Sequence, residues 1–388
     1  KNVKEPLLSI GINIRLSISF ITALLVFQVA KPQSRGDSLA YGYLPILSFN
    51  TDSRAVFGGE VQRYNYAGRK PFKDYTRGFL MYSTAGAFST FLSRDQIFEE
   101  ANNFRLHTEI YAIQNFDNYY LGDTELVSFN EALFDTSDFY NFNSFSTQIG
   151  INARFLLKKG EGIHRTDIEA GLRLYYESPW GNREDQFISG NQIEGATGSF
   201  LSFIQTGFIL ERRNSEFRPT KGFLVDVGSR YAPPVLSTHH VIANNVRLNG
   251  HIPIPFPLID VSMAGTIQLQ HTYGQTPYWL ASGLGGGAFL RGYRFRRFTS
   301  DNALSYSIES RSWFFKLPFQ NIEIGGNLFM DGGRVFTNSN WDSILRKHNH
   351  TFGLGGVMAI FTPDFILKFD LGFSEEGTGL YLGTGYAF

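Results

Sequence analysis

The sequence contains no cysteine among its 388 residues. It therefore has neither a disulfide framework nor a metal site with thiolate ligands. Basic and acidic residues both number 35, so charge gives no argument for nucleic acid or another polyanion as a partner. No phosphate-binding loop, cluster with metal-ligand spacing, second domain or internal repeat is present. We accordingly predict no cofactor, no metal site and no enzymatic activity.

Long apolar runs are also scarce. A mean hydropathy of −0.15 with 43% hydrophobic residues is too polar for a helical membrane bundle. One uncharged run, Leu16–Ala30, follows Arg15 and is about fifteen residues long, which is short for a transmembrane helix. A strand is an alternative, since apolar and polar residues alternate from position 12 to 20. We favour a secretory signal and interpret residues 1–38 as a signal-like segment with a short linker.

Alternating hydrophobicity dominates the rest of the chain, which is rich in phenylalanine, tyrosine and glycine. Such alternation places apolar side chains on one face of a strand and polar ones on the other. The alternating segments run to about ten or more residues, against about five or six in an ordinary strand. We expect Leu172, Leu174, Leu367 and Phe369 to face lipid, and Arg173 and Lys368 to face the interior.

The number of these segments predicts the fold. We count about sixteen, including Tyr75–Thr90 and Pro277–Gly283 as one strand each. Residues 117–141 and 180–198 are long connections without an assigned structure. The pattern predicts an all-β fold, a 16-stranded antiparallel transmembrane β-barrel of the outer-membrane type. In lipid such a sheet must close, so the barrel is expected to occupy residues 39–388.

A glycine-rich stretch, Gly283–Phe298, interrupts the strands. Dense glycine lets a backbone fold back into a confined space. On its residues alone, Arg291 in this stretch fits an ordinary surface-loop arginine. Asp331, in the sequence Asp-Gly-Gly, suits a turn, although a turn carboxylate can also accept from an arginine.

A family resemblance changes that assessment. Leu290–Tyr293 resembles the VRGF/Y motif of the BamA-type outer-membrane insertase superfamily, also called the bacterial surface antigen family, and Phe329–Gly333 resembles its F-x-D-x-G segment. The resemblance extends over about residues 41–388. It implies that the loop at about 283–301 is folded into the barrel lumen. The implied motif residues are Leu290, Arg291, Gly292 and Tyr293, with Asp331 and Glu309 as their partners on the barrel wall, whereas Arg311 fits generic lumen lining.

The resemblance also implies a function in the bacterial outer membrane. Such a barrel assists the insertion or translocation of polypeptides through a lateral gate between its first and last strands. The expected partners are the lipid bilayer, a polypeptide substrate and separate periplasmic or lipoprotein subunits. Family members usually carry POTRA domains before the barrel, and here we expect a barrel without them. The alternatives are a passive ion or solute pore or a plugged structural barrel, and thirdly an outer-membrane hydrolase.

The predicted seam between the first and last strands carries residues that weaken strand pairing. Proline has no N–H to donate to a ladder, and glycine loosens strand order. The last strand ends in phenylalanine, which resembles the sorting signal of outer-membrane barrels. The predicted seam residues are Pro45, Gly379, Gly383, Gly385 and Phe388.

Eight histidines invite an enzymatic interpretation. We expect His107 and His251 to face the lumen, and His348 and His350 to share a polar loop. None of them has serine or carboxylate neighbours with catalytic spacing, so we predict that none is catalytic.

Overall fold

The computed structural model describes residues 39–388 except 51–53, 69, 85, 99–103, 182, 191–192, 288, 318–321 and 387. The predicted signal-like segment, residues 1–38, lies outside the described residues. The strands are β1 (Leu39–Asn50), β2 (Arg54–Asn65), β3 (Asp74–Ser83), β4 (Phe88–Phe98), β5 (Phe104–Tyr119), β6 (Asn141–Lys159), β7 (Arg165–Trp180), β8 (Ser199–Glu211), β9 (Gly222–Ala232), β10 (Val241–Ile254), β11 (Asp260–Gly274), β12 (Ser282–Leu284), β13 (Phe298–Ser300), β14 (Asn302–Leu317), β15 (Ile322–Phe336), β16 (Asn349–Ala359), β17 (Ile366–Ser374) and β18 (Gly377–Thr384). The helices are α1 (Glu131–Thr136) and α2 (Phe187–Gly190), with a 3-10 turn at Trp341–Ser343.

Sixteen of the strands form one antiparallel sheet in which each pairs with the next along the chain. The order runs from β1 to β11 and then from β14 to β18, while β12 and β13 form a separate hairpin. The predicted all-β, 16-stranded architecture is therefore confirmed. Between the described residues of β1 and β18 there is no strand pairing, so backbone hydrogen bonds do not close the sheet.

The two faces of the sheet follow the alternation of the sequence. On β7, Leu172 is 57% exposed on the outer face, while Arg173 points inward and donates to Glu109 of β5. On β17, Phe369 is exposed and Asp370 is completely buried. The outside of the sheet is thus apolar and the inside polar, as a barrel in lipid requires. Neither helix in the described part of the chain is long and apolar enough to cross a membrane.

Two strand predictions were wrong, and their errors cancel in the count. Tyr75–Thr90 contains β3, a turn closed by a bond from Ser83 N to Ala87 O (2.8 Å), and the start of β4. The turn consists of small uncharged residues without proline, asparagine or aspartate, so periodicity does not mark it. Pro277–Gly283 is not a barrel strand but the start of the lumenal loop. Its aromatic side chains pack inward, with Trp279 stacked on Tyr175 at 3.9 Å between ring centroids.

The loop end of the barrel, opposite the end where β1 begins and β18 ends, is covered by two long connections. Residues 120–140 carry α1 and residues 181–198 carry α2. Their aromatic side chains pack together, with Tyr140 and Phe187 at 5.4 Å between ring centroids. The first connection also bonds to the lumenal loop, from Thr124 N to Thr299 O at 2.8 Å. These are the two connections that had no assigned structure from the sequence.

The terminus end, where β1 begins and β18 ends, is spanned by the connection between β8 and β9. Residues 212–221 turn inward and reach several distant strands. Their contacts are Glu216 with Arg105 of β5 (2.8 Å), Phe217 with Tyr64 of β2 (5.3 Å between ring centroids) and Arg218 with Trp313 of β14 (3.6 Å to the ring centroid). Both openings of the barrel are therefore occupied by its own chain.

Candidate functional site: the lumenal loop and the seam

The loop between β11 and β14 runs into the lumen, and its middle is held by apolar packing. Leu290 is fully buried and packs in a cluster with Leu284 and Tyr293 of the loop. Leu290 has φ +56°, a left-handed conformation that is uncommon for a residue with a side chain. The packing of its side chain holds that conformation and presents the next residue, Arg291, to the wall of the barrel.

Arg291 binds Asp331 of β15 with two parallel hydrogen bonds. Its Nε and Nη2 donate to Asp331 Oδ2 and Oδ1 at 2.9 and 2.7 Å, and its backbone N–H donates to Oδ2 at 3.1 Å. Both side chains are completely buried. This planar, two-bonded arrangement is specific to arginine, because a lysine ammonium cannot make it.

Two further carboxylates share the same guanidinium. Arg291 Nη1 donates to Glu309 Oε1 of β14 and to Asp370 Oδ2 of β17, both at 2.7 Å. The Phe329 ring lies under the guanidinium, with 3.3 Å from Cζ to the ring centroid. Burial by itself lowers the pKa of Arg291, but the bonds to Asp331 and the other carboxylates raise it overall. The arginine is therefore held in its charged form.

The buried group is electrically balanced. Arg311 Nε donates to Glu309 Oε2 at 2.8 Å, and Lys368 Nζ lies 2.8 Å from Asp370 Oδ2. With Arg291 and Asp331, the group holds three cations and three carboxylates. Buried charges are tolerated only when they are paired in this way. We call these six residues the arginine network; its members are Arg291, Glu309, Arg311, Asp331, Lys368 and Asp370.

The loop backbone lies directly against β17. Gly292 has φ +114°, and a Cβ at this position would lie 2.9 Å from the carbonyl carbon of Phe373. On the opposing strand, a Cβ at Gly372 would lie 2.6 Å from the backbone of Arg291. The last strand also holds the loop, because Gly292 N donates to Tyr381 Oη at 2.8 Å and Tyr381 Oη donates to Tyr293 O at 3.1 Å.

The predicted seam residues are distributed along this edge. Pro45 pairs with Gly59 of β2, and Gly379 and Gly383 pair with residues of β17. Gly385 lies beyond β18, where its N–H donates to Ile366 O at 2.8 Å. Phe388 is 7% exposed, and its carbonyl oxygen accepts from Arg311 Nη2 at 3.1 Å. The last residues thus turn into the lumen and contact the arginine network.

Side chains bridge the seam near the terminus end, where backbone pairing is missing in the described strands. Thr384 Oγ1 of β18 donates to Glu60 Oε1 of β2 at 3.0 Å. Gln62 Nε2 donates to the same hydroxyl at 3.3 Å. These bonds link β18 to β2 rather than to β1.

The family follows from the chain as a whole. The Omp85 superfamily domain matches residues 100–388, well over half of the chain. The chain belongs to the Omp85 superfamily. This membership confirms the predicted relationship to BamA-type barrels, a family of outer-membrane insertases and translocators.

Solved structures of two proteins resemble this Omp85 barrel. BamA from Haemophilus ducreyi lacking POTRA domains 1–3 is 12% identical with a TM-score of 0.54, and the match covers 90% of this chain and 69% of that one. CdiB from Acinetobacter baumannii is 14% identical with a TM-score of 0.56, and the match covers 90% of this chain and 60% of that one. At such identities the likeness shows the fold alone. No curated protein matches the sequence.

The histidines of the Omp85 chain occupy separate places. His107 lies in the lumen with its Nδ1 3.1 Å from Asp95, and His251 is buried on β10. His348 lies in the connection before β16 and His350 on β16, so the two do not share a loop, although both lie beside Tyr306. Within the described ranges, no group of three or more His, Asp and Glu side chains has a metal-binding arrangement.

Some residues of the site lie outside the predicted set. Asp370 and Tyr381 both contact the motif, and Arg311, expected as generic lining, belongs to the arginine network. Asp370 alternates with the apolar Phe369 and Leu371, which marks it as inward-facing but does not single it out. Tyr381 carries no signal of its own in the sequence, because its role depends on how the loop is folded.

Proposed function

We propose that this Omp85 barrel assists the insertion or translocation of polypeptides by opening laterally between β1 and β18. The observation that carries the proposal is the missing strand pairing between the described residues of these two edges. An unpaired edge presents N–H and C=O groups to which an incoming strand can add. Lipid cannot satisfy those groups, so this edge is the place where a polypeptide gains most by binding.

The arginine network supports this proposal by its location. It joins the loop to β14, β15 and β17, which lie on the same side of the barrel as β18. Tyr381 connects the motif to β18 itself, and Arg311 holds the residues after β18 inside the lumen. We infer that the loop sets the position of the last strand and thereby the width of the seam. No covalent chemistry is required of any of these residues.

A plugged structural barrel is the second candidate, and the two occupied openings favour it over a passive pore. The lumenal loop blocks the loop end, and residues 212–221 span the terminus end. A structural barrel does not need its seam to open, which separates it from the first proposal. A laterally opening barrel would act on a polypeptide substrate, together with separate periplasmic or lipoprotein partners.

Locking the seam tests the two candidates against each other. The chain has no cysteine, so Gln62→Cys with Thr384→Cys can be bridged by a short, reducible thiol cross-linker. The measurement is insertion of a small urea-unfolded outer-membrane barrel into vesicles that contain the purified protein. The protein should accelerate insertion relative to empty vesicles, and we expect the bridge to stop this acceleration. Reduction of the cross-linker should restore it.

The matched control bridges strands that are already paired. Leu172→Cys with Ile204→Cys joins opposed positions of β7 and β8 on the outer face. This bridge should leave insertion unchanged. If the seam bridge were equally harmless, the lateral opening would be ruled out and the structural barrel favoured.

A further inference from the structure

The half of the lumen away from the arginine network contains a cavity of about 740 Å³. Strands β5 to β11 form its wall, and loop residues 279–282 and Arg296 border it. A volume of this order is typical of sites for small organic molecules. Its lining is mainly polar, with several amide side chains, so an apolar ligand does not suit it. The amides are Gln148, Asn152, Gln205, Asn245, Gln268 and Gln270.

Arg230 of β9 stands out among the cations of this cavity. Its guanidinium lies 5.5 Å from the centroid of the Phe203 ring, and it forms no hydrogen bond or ion pair with any described residue. The other lining arginines all have partners. Arg173 donates to Glu109, and Arg247 donates to Asp226 at 2.6 Å. Arg296 donates to the backbone carbonyls of Tyr278, Trp279 and Ala281 at 2.8–3.0 Å.

Further N–H groups in the same cavity lack partners. The Nε atoms of Arg173 and Arg247 are buried and have no hydrogen-bond acceptor among the described residues. The two lining carboxylates are already engaged, Asp226 with Arg247 and Glu169 with Arg154 at 3.4 Å. The cavity therefore holds more donors and positive charge than its own acceptors satisfy. A bound anion would supply the missing hydrogen-bond acceptors and negative charge.

We propose that this cavity binds a soluble polar organic anion, with Arg230 as the principal contact to its carboxylate or phosphate group. A guanidinium matches either group through two parallel hydrogen bonds. The surrounding amides both donate and accept, so they suit hydroxyl groups on the rest of the ligand. Since the strand wall separates the cavity from lipid, the ligand must come from an end of the barrel, past the chain segment that lies across that end, rather than from the bilayer.

Calorimetric titration of the purified protein in detergent tests this site. The probes are glucose 6-phosphate, inorganic phosphate and uncharged glucose. We expect glucose 6-phosphate to bind, inorganic phosphate to bind more weakly, and glucose not to bind. Arg230→Gln should weaken glucose 6-phosphate binding by about tenfold or more, as expected for loss of a charged hydrogen-bonding partner.

The matched control is Arg63→Gln, which removes an arginine outside the cavity that is paired with Asp74. This variant should bind glucose 6-phosphate as the wild type does. Heat-dependent migration of the folded barrel in gels shows whether each variant is folded. Failure of glucose 6-phosphate to bind the wild-type protein, equal binding by folded Arg230→Gln, or equal binding of glucose would each overturn the proposal. Insertion activity is not used as a readout, so the result does not depend on the proposed function.

Discussion

Arg291 and Arg230 lie in the same lumen and have opposite surroundings. Arg291 contacts three carboxylates and is completely buried. Arg230 borders an open cavity and forms no ion pair with a described residue. A buried charge must be paired, whereas a charge beside water or a ligand need not be. The half of the lumen around Arg291 is therefore packed and holds the loop in place. The half around Arg230 is an open cavity that can hold water or a ligand.

The two halves also differ in their relation to the seam. The arginine network includes residues of β17 and contacts the segment after β18, so it adjoins the unpaired edge. The cavity is bordered by β5 to β11, where every strand pairs with its neighbours. The anchored half is thus next to the part of the wall that we propose to open. The cavity lies against the part that stays closed.

Removing the Arg291 guanidinium should have the largest effect on stability. Arg291→Ala leaves three buried carboxylates without their shared cation, and we expect a loss of about 3–5 kcal/mol in the free energy of unfolding. Arg291→Lys should also lose stability, because lysine cannot reproduce the two parallel bonds to Asp331. Thermal unfolding in detergent, followed by gel migration, measures both changes.

The control for that prediction is Arg294→Ala in the same loop. Arg294 is partly exposed and lies 3.5 Å from Asp135, so its removal should be nearly neutral. Arg296 is less suitable, because its guanidinium bonds to three backbone carbonyls of the loop. Equal stability of the Arg291 and Arg294 variants would remove the distinction between the two halves of the lumen.

A single methyl group added between β17 and the loop should lower stability by a smaller amount. In Gly372→Ala the new Cβ would meet the backbone of Arg291 at 2.6 Å, so the loop must shift away from β17. We expect a cost of about 1–3 kcal/mol, typical of overpacking. Gly383→Ala on β18 is the control, because nothing lies within 4 Å of the position that its new methyl group would take. The same unfolding assay should separate the two variants, and matching melting temperatures would show that the loop is not held closely against the wall.

The smallest change is expected on the cavity side. Arg230→Gln breaks no hydrogen bond or ion pair with the described residues, so stability should change by less than about 0.5 kcal/mol. Arg173→Gln, in the same cavity, takes a partner from Glu109 and should cost more. Unfolding of the two variants without added ligand makes the comparison. A large loss in Arg230→Gln would mean that Arg230 is structural, like Arg291.

Much of the barrel wall could be predicted because its signal is local. Alternation assigns Leu172 outward and Arg173 inward without knowledge of any neighbour. The same signal does not mark a short turn of small uncharged residues, such as the one between β3 and β4. It also does not distinguish a barrel strand from Pro277–Gly283, whose aromatic residues pack inside.

The candidate site was only partly accessible from the sequence. The motif around Arg291, together with the carboxylates Glu309 and Asp331, was identified by family resemblance. Asp370 was not identified, since its place beside Arg291 depends on the stagger of β17 against the loop. Tyr381 was missed for the same reason, because nothing in its own strand distinguishes it from other tyrosines.

By itself, the sequence determined which strand side chains face lipid and which face the lumen. Successive side chains of a strand point to opposite faces whatever surrounds the strand. It also determined that a glycine-rich loop can enter a confined space. Only the tertiary structure decided which lumenal charges meet. Strand stagger and the path of the loop place carboxylates around Arg291 and an open cavity beside Arg230. Proline and glycine in the first and last strands predict a weak seam, but only the whole sheet shows that the described residues of β1 and β18 do not pair.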